Sequence, residues 1–504
     1  MRPLRWLRWR GAILVFIASS SWPLHILAVN VIGIVRPERV IGLMAIAWLL
    51  GILFIAVLDS VGVPIGASEN AAFVAVIFVM LGGAILEEFG SGIGTTILIA
   101  CPILTGWVSA RFRNRMILNA LVWGTAVAIA TGPLIAFTDS LETGSGPSVV
   151  QERSSLAADL TVKPDIFLVV FDGYPGMIAS QKDGLGVGVV DVVSELRNRQ
   201  FEVPSSSWTS YWVTMLSIPS LLEMSYPVTD ENWRGIETRK ELQGVLSGNS
   251  AFVDVLKEQG YQTHMVESGW SGASCTDAFD QCVPSPLIDE ATYLILKRTI
   301  AWPLLEDSPG PYVLGAQAGF EWLMDHGPDL SQSPDPDFVF MHVVSPHAPY
   351  LLSNDCSVDF NYDRAGTGFN IPGVSVERRT QYLVEQIDCM DRNMLEFADA
   401  VEPNDIVVYV SDHGTDRRYQ ANPDLIDWDR ETIVERLNNF LAVRSPQGCS
   451  VGDEVIVPNV LRLVLGCISS TPIEPLPERM WVNPMVELDY NVVTDLTSMR
   501  VSPG

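Results

Sequence analysis

The first 140 positions are a succession of apolar runs separated by short polar or basic intervals, and nothing later in the chain repeats that pattern. Five runs, at 11–34, 40–62, 71–87, 94–110 and 116–138, each approach the roughly 20 apolar residues with which a helix crosses a bilayer core. The third and fourth are the shortest and contain glycine. A cleaved signal peptide is the rival reading of the first run. No small-residue cleavage site follows it and four more apolar runs do, which predicts a retained span. With five spans, the amino-terminal Arg2, Arg5, Arg8 and Arg10 and the later Arg111, Arg113 and Arg115 share one side, as the positive-inside tendency requires. Arg36 and Arg39 fall in the opposite loop and run against it. An odd number of spans predicts a multi-pass protein of the cytoplasmic membrane with everything after about residue 140 outside.

The interval 139–163 is polar and rich in Ser and Gly, and reads as a linker or juxtamembrane segment. From 164 the periodicity changes to near-continuous apolar runs alternating with amphipathic ones. "PDIFLVVFDGYPG" (164–176), "YQTHMVES" (261–268), "PDFVFMHVVSPHAPY" (336–350) and "NDIVVYVSDHGTD" (404–416) read as buried strands, and "AFVDVLKEQG" (251–260) as a helix closed by Gly260. Such strands separated by helices predict a mostly parallel sheet covered on both faces, over residues 164–467. Residues 468–504 read as an extended tail.

The cysteines agree with an outside location. One of the seven, Cys101, lies in a predicted span, leaving Cys275, Cys282, Cys356, Cys389, Cys449 and Cys467. An even number in an oxidising compartment predicts three disulfides. Among the fifteen possible pairings we expect nearest neighbours, 275–282, 356–389 and 449–467. No CxxC pair is present to suggest metal binding by thiolates. The net charge of −27 excludes a nucleic-acid partner, which requires a basic surface, and fits a well-solvated extracellular one.

In open parallel sheets the ligand site lies beyond the carboxyl ends of the strands. Three predicted strands end there in Asp172, in His342 and His347, and in Asp412 and His413. Each alone reads as a turn aspartate or a hydrogen-bonded structural histidine. Together they offer two carboxylates and an imidazole, a set suited to one divalent ion, Zn²⁺ or Mn²⁺. The stretch "TMLSIPSLL" (214–222) completes the picture. Ser217 reads as the cap of a helix beginning at Ile218, with Pro219 tolerated in its first turn. Thr214 then lies one turn earlier, in the loop, its hydroxyl facing the site. A metal-bound hydroxyl is a competent nucleophile near neutral pH, and the neighbouring helix amino terminus favours a phosphate.

The order Asp172, "TMLSIPSLL", "FMHVVSPHAPY", "SDHG" resembles the alkaline phosphatase and sulfatase superfamily. The preceding spans resemble its membrane-anchored branch of lipoteichoic acid synthases and phosphoethanolamine transferases. The resemblance implies an alkaline-phosphatase-like α/β/α domain with a metal held by Asp172, Thr214, Asp412 and His413. It also implies that Thr214 is the nucleophile, forming a phospho-threonine intermediate, and that His347 contacts the substrate phosphate. Asp172 departs from the transferase branch, where Glu is usual. His342 is either a substrate contact or a buried partner within its strand. Arg417 or Arg418 could neutralise phosphate oxygens or be exposed loop charges. After His413 the chain has no histidine, whereas the transferases usually have a further one. The resemblance implies a membrane phospholipid donor, with a glycan, a lipid or water as acceptor, in cell-envelope modification. A sulfatase-type hydrolase of phosphate or sulfate esters is one alternative, and a non-catalytic membrane scaffold is the other. Sulfatases convert Cys or Ser in C/S-x-P-x-R to formylglycine. Here Thr214 stands at the reactive position, or Ser217 begins S-I-P-S-L without the arginine, so sulfate-ester chemistry is the weaker reading.

Overall fold

The computed structural model describes all residues except 1–8, 30–36, 112–114, 142–158, 184–185, 230–235, 271, 285–287, 301–308, 366–372, 418–428, 447–448, 471–472, 483–493 and 496–504. Arg2, Arg5, Arg8, Arg36, Arg113, Arg418 and most of the predicted linker therefore lie outside the described residues. The chain forms two units, Met1–Ser145 with Ile288–Ser308, and Gly146–Leu287 with Pro309–Gly504.

Helix covers the described part of the five predicted runs except the turn at 61–62, in four segments: α1 (Trp9–Val29), α2 (Pro37–Ser60), α3 (Ile65–Arg111) and α4 (Arg115–Leu141). Among the described residues, 38–60, 65–86 and 93–111 are long and apolar enough to cross a membrane. The last two share α3, which doubles back on itself. On a straight helix residues 71 and 106 would be about 50 Å apart. Instead a Cβ built on Gly106 would lie 3.2 Å from that of Ala71, and Asn70 donates to Ser109 at 3.2 Å. Arg10 pairs with Glu69 at 2.7 Å and donates to Asn70 and Asn119. One end of this unit thus gathers the start of α1, both ends of α3 and the start of α4 in one polar network.

The second unit follows in the order β1 (Ile166–Asp172), α5 (Met177–Asp183), α6 (Gly186–Asn198), β2 (Ser206–Trp208), α7 (Thr214–Leu222), α8 (Ile236–Leu246), α9 (Ala251–Glu258), β3 (Gln262–Val266) and β4 (Gln281–Val283). Next comes α10 (Glu290–Arg298), which belongs to the first unit. The chain then returns for α11 (Gly310–Ser331), β5 (Asp337–Pro346), α12 (Tyr362–Ala365), α13 (Val376–Ala400), β6 (Ile406–Ser411), α14 (Arg430–Leu437), β7 (Leu441–Arg444), β8 (Glu454–Ile456), α15 (Val457–Ile468), β9 (Trp481–Val482) and β10 (Thr494–Asp495).

The main sheet has the order β4-β3-β5-β1-β6-β7, parallel except for β7. Every residue of β1 is buried because alternate side chains enter different cores. Phe167, Val169 and Phe171 pack with α6, α11 and α13, while Ile166, Leu168 and Val170 pack with α7, α9 and α15. That two-sided cover is why the strand lacks a polar alternation. The three disulfides are Cys275–Cys282, Cys356–Cys389 and Cys449–Cys467; Cys101 is free.

Two local readings need correction. Ser217 is not a helix cap: α7 begins at Thr214, with Val213 as an N-cap that makes no side-chain bond. Ser217 lies inside the helix and donates to the Asp412 carbonyl at 2.6 Å, which ties α7 to the end of β6. The expected tail is also partly ordered in the core. Trp481 is buried against Tyr211 with rings stacked at 5.3 Å, and its amide donates to Ser210 O.

Candidate active site

The centre strand β1 delivers Asp172 at its carboxyl end, and its neighbours anchor their own loops to it. Asp412 N donates to Phe171 O, and His347 N donates to Asp172 O. These two bonds draw the ends of β5 and β6 onto Asp172. α7 points its first turn at the same place, with Thr214 as its first residue.

The side chains converge on His413 Nε2. Asp412 Oδ2 lies 3.2 Å from it, Asp172 Oδ1 3.6 Å and Thr214 Oγ1 3.3 Å. His413 Nδ1 faces the Gly414 carbonyl at 2.9 Å. A donor is required there, so the proton sits on Nδ1 and the Nε2 lone pair faces the carboxylates. Asp412 Oδ1 accepts from Gly173 N and His413 N, which leaves Oδ2 directed into the cluster. Asp172 Oδ1, Asp412 Oδ2 and both ring nitrogens of His342 are buried without a well-formed hydrogen bond. Asp172, His342 and Asp412 also bring ligand atoms within 4.8 Å of one another.

Orphaned buried acceptors are rare in folded proteins. Two carboxylate oxygens and one lone-pair nitrogen of His342, which lie within 4.8 Å of one another, fit a divalent cation. The electrostatics agree. Burial and the Asp172 carboxylate push Asp412 well above the ordinary carboxylate range, partly opposed by the Thr214 hydroxyl, the Gly173 amide and Arg436. Burial, then Arg436, holds His413 well below the ordinary imidazole value. Burial lowers His342 to about 4 despite Asp172. Both imidazoles are therefore neutral, the form that ligates a metal.

Each sequence candidate can now be placed. Asp172, Thr214, Asp412 and His413 meet. His342 lies within β5 opposite Val170 and is buried beside Asp172, 4.0 Å from its carboxylate, among the donor atoms. His347 lies just past β5, half-buried, with Nδ1 at 2.7 Å from Ala348 O. Burial disfavours its charge, but Asp172, Asp416 and the Ala348 carbonyl outweigh that and raise its pKa. Arg417 lies 3.8 Å from the buried Glu435 carboxylate.

Sequence reasoning missed Arg436. This buried residue on α14 donates to Trp212 O and Gly414 O, stacks on the Trp212 ring and brings Nη2 to 3.2 Å from His413 Nε2. Its one local cue, an arginine near the end of an amphipathic helix, is shared with surface arginines.

A sulfatase family model matches residues 196–434, a stretch holding Thr214, His342, His347, Asp412 and His413 but not Asp172. No curated protein matches the chain. Among solved structures the chain is similar to the periplasmic domain of EptC from Escherichia coli, at 13% identity and TM-score 0.42, covering 67% of this chain and 94% of that one. It is similar also to the lipooligosaccharide phosphoethanolamine transferase EptA of Neisseria meningitidis, at 11% identity and TM-score 0.42, covering 91% and 95%. A third is an alkaline phosphatase superfamily protein of Vibrio parahaemolyticus, at 14% identity and TM-score 0.40, covering 64% and 74%. Over residues 196–434 the chain is thus similar to the sulfatase family.

Proposed function

We propose that this protein is a membrane-anchored, metal-dependent enzyme that transfers or hydrolyses a phospho-head group through a phospho-Thr214 intermediate. The observation that carries the reading is the meeting of the Thr214 hydroxyl, at the amino terminus of α7, with the donor set of Asp172, Asp412 and His413. Zn²⁺ or Mn²⁺ held by Asp172, Thr214, Asp412 and His413, with His342 beside them, would acidify the Thr214 hydroxyl and offset phosphoryl charge.

The chain's own groups carry the rest. Thr214 Oγ gives its proton to the Asp412 carboxylate and forms the new bond to phosphorus as the bond to the lipid oxygen breaks. The departing alkoxide takes a proton from the imidazolium form of His347, which Asp172, Asp416 and the Ala348 carbonyl favour, its Nδ1 fixed on Ala348 O and its Nε2 left to donate. The amino terminus of α7, where Thr214 is the first residue, favours the negative charge of the transferred group. An acceptor alcohol or water then attacks phospho-Thr214 with the roles of His347 and Asp412 reversed. Threonine cannot become formylglycine, which disfavours sulfate-ester hydrolysis at this site.

The membrane reading rests on the apolar helices of the first unit. Their polar network joins Arg10, Glu69, Asn70, Ser109 and Asn119 at one end, the arrangement that five successive crossings would produce. A phospholipid donor and an extracytoplasmic site are part of this reading.

The test is to incubate the protein with Mn²⁺ or Zn²⁺ and a phospholipid labelled in its head group, beside Thr214→Ala. Release lost in the variant, with label trapped on Thr214 of the parent, is expected. Release that persists in Thr214→Ala would refute the nucleophile. Added alcohols separate transfer from hydrolysis.

A further inference from the structure

Residues 288–308 interrupt the second unit between β4 and α11 and belong to the first. Their attachment is intimate. A Cβ at Gly83 would lie 2.2 Å from Lys297 O and one at Gly82 2.9 Å from the Ile300 side chain, so only glycine permits the approach. Ile300 N donates to Val79 O at 2.8 Å. Asp289 caps α10 through Thr292 N and pairs with Arg39 at 3.3 Å. Arg298 lies over the Trp22 ring, and Ile295 packs with Val40 and Met44. These partners, from the end of α1, the start of α2 and the first leg of α3, mark the end of the unit opposite the Arg10 network.

The two faces of this insert differ. Ala291, Thr292, Ile295 and Thr299 are buried, on one side at helical spacing. The other side presents Leu294, 39% exposed, and Ile300, 45% exposed, next to the exposed Lys297 and Arg298. Large apolar side chains beside basic ones are the composition of a helix lying in a bilayer interface. The exposed apolar surface continues onto the spanning legs, where Ile41, Ile46 and Leu50 are exposed. We propose that α10 is an interfacial element in which Leu294 and Ile300 enter the acyl boundary and Lys297 and Arg298 bind anionic lipid phosphates. The charge complementarity and the continuity with the spanning surface select a lipid occupant over a protein one.

The proposal rests on the membrane reading above, and the test separates the two. In a Cys101→Ser background, Leu294→Cys, Ile300→Cys, Ile46→Cys and Met324→Cys are each labelled with an environment-sensitive fluorophore in the full chain. The proteins are placed in vesicles of phosphatidylcholine with phosphatidylglycerol, with spin-labelled versions of either lipid as quencher. Quenching at 294 and 300 as well as 46, and none at 324 on α11, is expected. The spin-labelled phosphatidylglycerol should quench 294 more than its phosphatidylcholine counterpart, an enrichment on the order of fivefold for each basic residue, which Lys297→Gln with Arg298→Gln removes. Quenching at 46 but not at 294 and 300 overturns the proposal and leaves the membrane reading intact. Absence at 46 defeats the membrane reading itself. Equal quenching by the two lipids overturns the anionic contact.

Discussion

Replacing Asp412 with Asn separates what the site does for stability from what it does for chemistry. Asn keeps an Oδ1 that accepts from Gly173 N and His413 N. Its amide replaces the orphaned Oδ2 with a donor beside Asp172 Oδ1, an acceptor now without one. A buried unsatisfied group costs about 1–3 kcal/mol, so Asp412→Asn stabilises the metal-free protein by that amount. With unfolding entropy of about 2.1 cal/mol/K per residue, a unit of roughly 340 residues changes by about 0.7 kcal/mol per degree. The expected rise in Tm is about 1.5–4 °C in chelator. With metal at a hundredfold over Kd, the parent gains about 2.7 kcal/mol, about 4 °C, and the variant gains little. The variant's lead in chelator is therefore cancelled or reversed with Zn²⁺ or Mn²⁺, while turnover is lost in the variant. Thermal melts followed by tryptophan fluorescence, with and without chelator, measure this. A variant that melts below the parent in chelator, or that gains as much from metal, refutes the reasoning.

Three further outcomes are expected. Asp165, buried at the start of β1 beside Asp337 and Asp405, is raised to about 7 from 3.8, first by burial. The folded state then holds its proton more tightly than the unfolded chain, so its contribution is full below about pH 4 and is lost as pH rises to about 7; Asp165→Asn flattens that fall, at most about 1.4 kcal/mol per pH unit, in denaturant midpoints taken from pH 5 to 8, and parallel profiles would sink it. Removing the Cys356–Cys389 bridge, with its sequence separation of 33, costs about 3–4 kcal/mol on the loop-entropy account, read from denaturation of Cys356→Ala with Cys389→Ala. Arg436→Gln removes a charge-assisted hydrogen bond at His413 of about 1.5–3 kcal/mol, lowering kcat/KM about 10- to 150-fold, and an unchanged rate would exclude Arg436 from the machinery.

Much of this was legible because it depends on local pattern. The strands at Asp172, His342 and Asp412 announce themselves by uninterrupted apolar runs, since both sheet faces are covered. The ligands follow from position, because a parallel sheet opens its site where those runs end. Thr214 was legible as a candidate site residue but not as the first residue of α7. Ser217 and Pro219 imitate a helix start, and only the bond from Ser217 to Asp412 O shows why a serine stands mid-helix. Arg436 was illegible because its contacts with Trp212 and His413 span more than twenty residues of sequence in each case. The 288–308 insert was illegible because "EATYLILKR" reads as an ordinary amphipathic helix, and its partner is a glycine pair some 200 residues earlier.

That insert also orders the protein's birth. The polar network at Arg10 can close once Asn119 has been synthesised, but the groove at Gly82 and Gly83 waits for residues 297–300. Between those moments the ribosome makes β1, α7, β3 and β4. The nascent helical unit must therefore persist with one flank unfilled while half of the sheet is made. A chain stopped before residue 288 would be left with that flank open, its glycine pair uncovered.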